Sequence, residues 1–317
     1  LHKTVHSFPT RRSSDLSSVL EFRQKDGNTE KTEVQGTLGA SEVALTLDGP
    51  IGEKTTYIFS ARRSYLQLLF AVLELPFLPT YNDIQFKTKT KLNDKNELTI
   101  IGLGALDQFN LNLEANETED QRYILNYLPV NEQWNYTIGA VFKHYKEKSY
   151  DTWVISRSFL NNTSYKYRDN IEVDSLKTFD YLSTEAENKF RYENTTRTDN
   201  GYKINYGAGL EYAQYTNSTF RKEFIGENPF IVDYNTNLDL WKWSLFGQVS
   251  KEYFQKRLAL SLGIRSDANN YSSSMSNLLE QVSPRFSASF KLVPDFSVNF
   301  NRSEEHTSEL QSHGLIS

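Results

Sequence analysis

Alternation of apolar and polar residues with a period of two runs through most of this chain and limits the folds that it can adopt. In residues 202–212, for example, Tyr202, Ile204 and Tyr206 alternate with polar residues or glycine. Successive side chains of a β-strand point to opposite faces, whereas a helix needs apolar residues at three- and four-residue spacing. The same alternation recurs in residues 134–142, 241–253, 258–265 and 282–292. These segments are predicted to be β-strands with one apolar and one polar face.

The connections between the predicted strands alternate in length. Short polar turns lie near residues 48–55, 93–97, 146–149, 198–201, 254–257 and 293–295. Long connections lie between them, at about residues 65–81, 108–132, 160–182, 215–237 and 266–280. Antiparallel strands joined in this way place the short turns at one end and the long loops at the other, which is typical of outer-membrane barrels. Residues 27–30 are an exception, because they resemble a tight turn where a long loop is expected.

The number and length of the strands favour part of a large barrel. The strands run to roughly 11–16 residues, whereas about 9–11 are enough to cross a membrane. About 13 strands can be counted, which is too many for a barrel of about eight strands and too few for the transporters of about 22. The sequence therefore predicts an all-β fold, an antiparallel transmembrane β-barrel that is incomplete. A soluble β-sandwich is the alternative, because it would hide the apolar face that a barrel turns toward lipid.

Composition argues against several functional classes. The formal net charge is −5, which gives no electrostatic reason to expect nucleic-acid binding. Cysteine is absent, and His144 is the single histidine between residues 17 and 301. Thiolate chemistry, a histidine-based metal site and a Ser-His-Asp triad are therefore not expected in that range. We predict that the protein is not an enzyme and needs no cofactor.

The two ends of the chain lack strand alternation. Residues 6–16, HSFPTRRSSDL, and residues 302–313, RSEEHTSELQSH, are similar to translations of common sequencing adapters. We therefore expect residues 1–16 and 302–317 not to be native protein, and residues 17–301 to be a partial barrel domain. On this interpretation the true start and end of the protein are missing.

Three segments resemble the barrel domain of TonB-dependent outer-membrane receptors. They are LTLDGPIGEKTTYIFSARRSYLQLLF (45–70), YNDIQFKTKTKLNDKNELTIIGLGALDQFN (81–110) and SPRFSASFKLVPDFSVNFN (283–301). The resemblance extends over residues 17–301, and the DGP…SARRSY block is its most specific part. It is nearest to the Bacteroidota branch, which carries a carboxypeptidase-like regulatory domain ahead of its plug.

This resemblance implies a receptor and transporter of the bacterial outer membrane. Its extracellular loops would bind a ligand, which is then imported with energy transmitted by the TonB complex. The implied partners are outer-membrane lipid, the TonB complex, the receptor's own plug domain, and a small-molecule or oligomeric ligand. The TonB box and plug would lie in the missing N-terminal region. Iron chelates, cobalamin, oligosaccharides and peptides all enter through this family, so the ligand is not identified.

Two other functions are compatible with the strand pattern. A secreted or surface β-rich binding or adhesion protein would use the same long loops, and it is the main alternative. A passive porin is disfavoured by the resemblance and not by any residue.

Basic residues supply the candidate positions that face the lumen or the plug. Arg62 and Arg63 occupy adjacent strand positions, so one faces inward and the other faces outward or lies at the rim. A structural salt bridge or a snorkelling side chain is the alternative for at least one of them. Lys87, Lys89 and Lys91 share one face, which is expected to line the lumen because a lysine at the lipid midplane costs about 2–4 kcal/mol.

Aromatic residues supply the candidate lipid-facing and girdle positions. They are Tyr202, Tyr206, Tyr212, Trp241, Trp243 and Tyr253. The alternative for these residues is packing inside a sandwich core.

Two further segments allow more than one interpretation. Glu185 and Glu187 share a strand face, as two glycosidase carboxylates could. Because Lys189 and Arg191 continue that face, a charge-balanced lumen wall is the better explanation. Residues 66–79 do not alternate, and they are expected to form either a short amphipathic helix in a loop or an apolar strand end.

Overall fold

The computed structural model describes residues 24–225, 228–293 and 296–303, without the side chains of residues 224–229. The segment 1–16, expected to be non-native, lies outside the described residues. Of the corresponding C-terminal segment, the structure describes Arg302 and Ser303, which continue the last strand.

Thirteen antiparallel strands form one sheet, in which each strand pairs with its neighbours in sequence. The strands are β1 (Glu33–Leu38), β2 (Glu42–Ile51), β3 (Thr55–Ser64), β4 (Phe77–Asn93), β5 (Asn96–Leu111), β6 (Val130–Tyr145), β7 (Ser149–Tyr167), β8 (Lys177–Arg197), β9 (Tyr202–Ile225), β10 (Asn228–Tyr253), β11 (Leu258–Asn269), β12 (Val282–Val293) and β13 (Phe296–Ser303). Between the described parts of β1 and β13 there is no pairing, so the sheet is not closed. The all-β, antiparallel, incomplete barrel predicted from the sequence is confirmed.

Two α-helices and two short 3-10 helices lie in the connections. They are α1 (Leu66–Val72), α2 (Glu119–Tyr127) and the 3-10 helices Arg168–Asn170 and Asp174–Leu176. The first half of the ambiguous segment 66–79 is therefore helix α1, and its last residues begin β4. Among the described residues, we find no helix with the length and apolarity needed to cross a membrane.

The observed connections follow the predicted alternation in length, with two differences described below. In addition, the connection predicted at residues 160–182 is shorter than expected, because residues 160–167 belong to β7 and residues 177–182 belong to β8. The predicted turns before β3, β5, β7, β9 and β11 are present, and the turn before β13 falls at residues 294–295, outside the described residues. At the opposite end, four long connections span residues 65–76, 112–129, 168–176 and 270–281. We call this end the loop end. The first difference is that β1 and β2 are joined there by only three residues, 39–41.

The second difference concerns residues 215–237, where the prediction of a long loop is wrong. Strands β9 and β10 continue through this segment, with paired positions from Tyr202 and Lys251 up to Ile225 and Asn228. Both faces of the segment carry Asn, Thr and charged residues, so the alternation that marks the membrane-crossing part is lost. Cross-strand hydrogen bonds still satisfy its backbone. Strand β9 also pairs with β8 as far as Arg221, whereas β10 pairs with β11 only from Lys242 onward, so β10 extends furthest beyond its other neighbour.

The sheet buries polar side chains on one face and exposes apolar side chains on the other, which is the reverse of a soluble domain. One face, which we call the polar face, carries buried polar residues such as Asp48, Thr195 (3% exposed) and Glu211. The other, the apolar face, exposes large hydrophobic side chains such as Ile155 (63%) and Leu245 (52%). A sheet that curls into a barrel wall crowds the side chains inside the curve and separates those outside it. The polar face is therefore the inner face.

This arrangement separates a barrel from a sandwich. A sandwich would bury its apolar face against a second sheet. All thirteen described strands belong to a single sheet, and the apolar face has no layer over it in the described part of the chain. Apolar side chains facing outward and polar side chains facing inward are the pattern of a barrel in lipid.

Candidate functional site: the polar face and the loop end

The two adjacent arginines point to opposite faces of β3. Arg62 lies on the polar face, where its Nε donates to Asp83 Oδ2 at 2.7 Å and its Nη1 donates to Glu42 Oε2 at 3.3 Å. Arg63 lies on the apolar face and donates to Asn82 Oδ1 at 3.1 Å. Two carboxylates already neutralise the positive charge of Arg62, so its attraction to a plug carboxylate or an anionic ligand is weakened. Its role toward a plug stays a prediction.

The lysine row on β4 contacts the chain that precedes β1. Lys87 Nζ donates to the Gln24 carbonyl oxygen at 2.8 Å and lies 2.6 Å from Asp26 Oδ1. Lys89 Nζ lies 2.8 Å from the other carboxylate oxygen of Asp26. The third lysine, Lys91, is exposed near the turn. Two of the three predicted lysines thus anchor an N-terminal segment on the polar face.

We call residues 24–30 the crossing segment, because they lie across β2, β3 and β4 on the polar face. The buried Asp48 accepts hydrogen bonds from Lys25 Nζ and from the Asn28 backbone N–H, both at 2.5 Å. A Cβ atom on Gly27 would overlap the backbone of Tyr57, so only glycine allows this approach. Asn28 Oδ1 accepts from the backbone N–H of Glu30 at 2.8 Å, where the chain bends. The tight turn between strands predicted at residues 27–30 does not join two described strands, because residues 24–32 form no strand and β1 begins at Glu33.

The crossing segment is expected to detach from the polar face in acid. Burial raises the pKa of the Asp26 carboxyl, but hydrogen bonds from Lys87 and Lys89 outweigh it and hold this pKa below its usual value. A carboxylate with a lowered pKa stabilises the attached state above the free-chain pKa of about 3.9, and that contribution is lost as pH falls through the lower value. Backbone hydrogen exchange of residues 25–31, measured from pH 7 down to pH ~3, should show protection lost below pH ~4.

Two variants test whether Asp26 is responsible. Asp26→Asn should lower the protection of residues 25–31 at neutral pH, as acid does for the wild type. Glu30→Gln is the control, because Glu30 is exposed and its side chain has no ion pair among the described residues. Equal protection in wild type and Asp26→Asn at neutral pH would contradict the assignment.

At the loop end, helix α2 is fixed at its start by a capping box. Thr118 Oγ1 accepts from the Gln121 backbone N–H at 3.1 Å, and Gln121 Oε1 accepts from the Thr118 backbone N–H at 2.9 Å. The Gln121 amide nitrogen also donates to the Glu74 carbonyl oxygen at 2.8 Å, just past α1. These contacts join the first two long connections into one structure.

The end of α2 is held by a lysine from β7. Lys166 Nζ donates to the carbonyl oxygens of Leu125 and Leu128, the latter at 2.8 Å, and to Asn170 Oδ1 at 2.6 Å. Helix α2 has no basic residue in its own last turn, so Lys166 supplies the cation that a helix C-terminus favours. Sequence reasoning missed this residue, because its partners lie about 40 residues away in the chain.

The acidic pair on β8 belongs to a charge-balanced wall on the polar face. Lys189 lies 2.5 Å from Glu187 and 3.7 Å from Glu211, and Lys242 lies 2.6 Å from Glu211. Glu185 occupies the same face, opposite Tyr215 of β9. Each glutamate of a glycosidase pair must be free to act on a substrate, whereas Glu187 is paired here with a lysine.

The six candidate girdle residues lie on the apolar face. Tyr212 and Trp241 are directly opposite in the register, and their ring centroids are 4.7 Å apart. Nearer the short turns, Lys251 Nζ lies 4.1 Å from the ring centroid of Tyr202 and 5.3 Å from that of Tyr253. Tyr206 and Trp243 lie between these two levels on the same face. Their contact with lipid stays a prediction.

The described part of the chain holds no cluster of His, Cys, Asp or Glu suited to a metal ion. Comparison with known families gives one match, which covers residues 20–306. It is to the TonB dependent receptor-like, beta-barrel family. No curated protein matches the sequence.

Solved structures with a similar fold include three siderophore-related receptors. A variant of the ferric enterobactin receptor of Pseudomonas aeruginosa is 14% identical, with 86% of this chain and 42% of that receptor covered and a TM-score of 0.58. The ferripyoverdine receptor of the same organism, bound to ferripyoverdine, is 13% identical, with 89% of this chain and 43% of that receptor covered and a TM-score of 0.64. The ferric preacinetobactin receptor of Acinetobacter baumannii is 10% identical, with 87% of this chain and 47% of that receptor covered and a TM-score of 0.59. At these identities the likeness is one of fold, and the chain spans less than half of each receptor.

Proposed function

The chain belongs to the TonB-dependent receptor-like β-barrel family of the bacterial outer membrane, and from this premise we propose that it forms part of the wall of a ligand-specific active importer. The ligand would bind at the loop end, and a plug domain would fill the space beside the polar face. The TonB complex would supply the energy through an N-terminal region outside this sequence.

The observation that carries this proposal is the combination of inverted burial and one-sided loops. The apolar face suits lipid, and the polar face suits a water-filled lumen. The four long described connections and the β9–β10 hairpin all lie at the loop end, where an external ligand would arrive. Paired charges on the polar face, such as Lys242 with Glu211, suit a lumen wall and not a catalytic centre.

The remaining parts of the receptor are proposals that rest on the family. We propose that a plug precedes residue 24 and that the crossing segment connects the plug to the barrel. An upstream regulatory domain of the Bacteroidota type and the non-native origin of residues 1–16 and 302–317 belong to the same proposal. Sequencing the gene beyond both ends of this chain tests the plug, the regulatory domain and the non-native ends together.

The charge of the loop end favours a neutral or cationic ligand. The four long described connections contain nine acidic and two basic residues. A negative rim lowers the rate at which anionic ligands arrive and raises it for cations. The related structures are named for ferric siderophores, and within that class we propose a neutral or cationic iron chelate.

Uptake by cells carrying the full-length receptor tests two points, namely active import and the preference for a neutral or cationic iron chelate. The probes are a cationic ferric trihydroxamate and an anionic ferric tris-catecholate, both labelled with radioactive iron. We expect uptake of the trihydroxamate to depend on the gene and to stop when a protonophore collapses the proton gradient, while surface binding persists. Deleting residues 114–127, which include α2, should abolish the binding.

The outcomes separate the alternatives. Gene-dependent uptake that continues after addition of the protonophore would indicate a passive porin. Preference for the tris-catecholate would contradict the charge argument and leave active import standing. Binding without any uptake would favour a surface binding or adhesion protein.

A further inference from the structure

Strand β10 has an open hydrogen-bonding edge at the loop end. On one side, β9 pairs with it along nearly its whole length. On the other side, β11 pairs with it only from Lys242 onward. Just above this pairing, the Trp241 backbone N–H donates to Asn270 Oδ1 at 2.8 Å, and the Trp241 carbonyl oxygen accepts from the Asn270 backbone N–H at 3.1 Å. On this side of residues 228–240, no other described segment forms a backbone hydrogen bond with β10.

The direction of the Trp241 backbone shows which groups form this open edge. Backbone N–H and C=O groups alternate between the two sides of a strand from one residue to the next. The pairing of β9 with β10 has no register shift, so the alternation continues unbroken. The groups that point to the open edge are those of Ile231, Asp233, Asn235, Asn237 and Asp239, and the side chains of all five residues are exposed. At a rise of about 3.4 Å per residue, this edge is roughly 27 Å long.

The open edge lacks the features by which proteins usually prevent strand pairing. Exposed edge strands are commonly short or bulged, or they carry lysine or proline. Residues 231–239 contain no bulge, no lysine and no proline. A long and regular edge of this kind is suited to accept a further strand.

The charges beside the open edge indicate what such a strand would carry. Asp233 and Asp239 have no cationic partner among the described residues, and Asp239 accepts only from the neutral Tyr212 hydroxyl at 2.7 Å and Gln214 amide at 3.2 Å. Antiparallel pairing with a second copy, centred on Thr236, would place Asp233 opposite Asp239. Like charges directly opposite each other are destabilising, whereas lysine or arginine at these positions would be attracted.

We propose that the open edge, residues 231–239 of β10, accepts an extended cationic segment of a partner protein outside the cell as an additional antiparallel strand. Backbone hydrogen bonds supply the affinity, and the two aspartates select basic side chains. On the other side of the sheet, Tyr234 and Leu238 are 49% and 38% exposed and offer contacts to apolar residues of the added strand. The proposal rests on the loop end lying outside the cell and not on what the receptor imports.

Binding of a synthetic peptide to the full-length receptor in detergent tests the strand pairing. The probe is a fluorescent peptide of about nine residues, long enough to span the open edge, in which lysine and valine alternate. In antiparallel pairing with its lysines on the side of the aspartates, the lysine N–H groups face β10 and the valine N–H groups face away. Methylating the lysine backbone nitrogens should therefore weaken binding at least about tenfold, whereas methylating those of valine should leave it nearly unchanged.

The methylated peptides have the same charge, so they separate strand pairing from general attraction to an acidic surface. Equal binding of the two forms, or a greater loss from methylated valine, would overturn the antiparallel pairing. Because this comparison uses the wild-type receptor, it does not depend on whether any variant folds.

Receptor variants test the assignment to β10. Asn235→Pro removes an N–H group of the open edge and leaves the pairing with β9, so it should weaken binding about tenfold. Replacing both Asp233 and Asp239 by asparagine should weaken it about fivefold. Glu172→Gln is the matched control for charge, because Glu172 is exposed at the loop end and has no ion pair among the described residues. Unchanged binding in a folded Asn235→Pro variant, or equal loss in Glu172→Gln and the double variant, would overturn the assignment.

Experiments with cells separate a docked partner from imported cargo. The peptide fused to a folded fluorescent protein should bind to cells that carry the receptor and should be removed by protease added outside. Protease-resistant accumulation of the free peptide that a protonophore stops would identify it as cargo and overturn the docking role. Self-association of the purified receptor that Asn235→Pro abolishes would assign the open edge to a second copy and would also overturn the proposal.

Discussion

Leu245→Lys is expected to lower the free energy of unfolding of the membrane-inserted barrel by about 2–4 kcal/mol, the cost of lysine near the bilayer midplane. Leu245 lies on the apolar face of β10, four residues from Trp241 and eight from Tyr253. These two aromatic residues are predicted to mark opposite edges of the lipid-facing band, which would place Leu245 well inside it. In a soluble domain, a half-exposed leucine replaced by lysine would change stability by less than about 0.5 kcal/mol.

The neighbouring residue gives the matched control. Ser244 lies on the polar face of the same strand, so Ser244→Lys should cost less than about 1 kcal/mol. Denaturant titration of the full-length receptor in lipid vesicles, followed by tryptophan fluorescence, measures both variants. Equal costs for the two substitutions would contradict the assignment of the two faces.

Lys166→Met is expected to release the end of α2 from β7. The substitution keeps the length of the side chain but removes the Lys166 hydrogen bonds to the carbonyl oxygens of Leu125 and Leu128. The Leu125 oxygen then keeps only the longer hydrogen bond from the Asn170 amide nitrogen, at 3.2 Å. An unsatisfied buried acceptor costs about 1–3 kcal/mol, so local opening should become roughly 30-fold more frequent. Hydrogen exchange of the backbone amides of residues 122–129 measures this opening.

A second lysine near the same connection separates this contact from a general effect of charge. Lys177 pairs with Asp180 at 2.9 Å on a more exposed surface, where an ion pair contributes about 0–1 kcal/mol. Lys177→Met should therefore leave exchange in α2 nearly unchanged, and neither variant should alter exchange in the central part of β9. Unchanged exchange of α2 in Lys166→Met would show that the capping box alone holds the helix.

The fold was predictable wherever one face of a strand must be apolar. The alternation in residues 241–253 identified this part of β10, but the same strand begins at Asn228. In its first half, Phe230, Ile231 and Val232 are consecutive, and Asn and Thr residues occupy both faces at positions 235–237. Outside the membrane, nothing requires one face to be apolar, so the periodic signal disappears while backbone pairing continues. This is why residues 215–237 looked like a loop.

The sequence predicted on which face of the sheet each candidate residue lies, but it did not predict the partners of these residues. Alternation alone separates Arg62 from Arg63. It does not reveal that Arg62 meets Glu42 and Asp83, which lie about 20 residues away on either side. In the same way, alternation with Trp153, Ile155 and Phe159 places Arg157 on the apolar face of β7, but only the strand register shows that it donates to Tyr136 and Asn188.

The sequence by itself determined the strand pattern, the polar and apolar faces, the one-sided loops and the family, because each of these depends on residues close together in the chain. Only the tertiary structure decided which charges are paired. The crossing segment reaches Lys87 over about 60 residues, and Lys166 reaches α2 over about 40. Such contacts depend on strand register and on how connections fold back onto the sheet, and local patterning specifies neither.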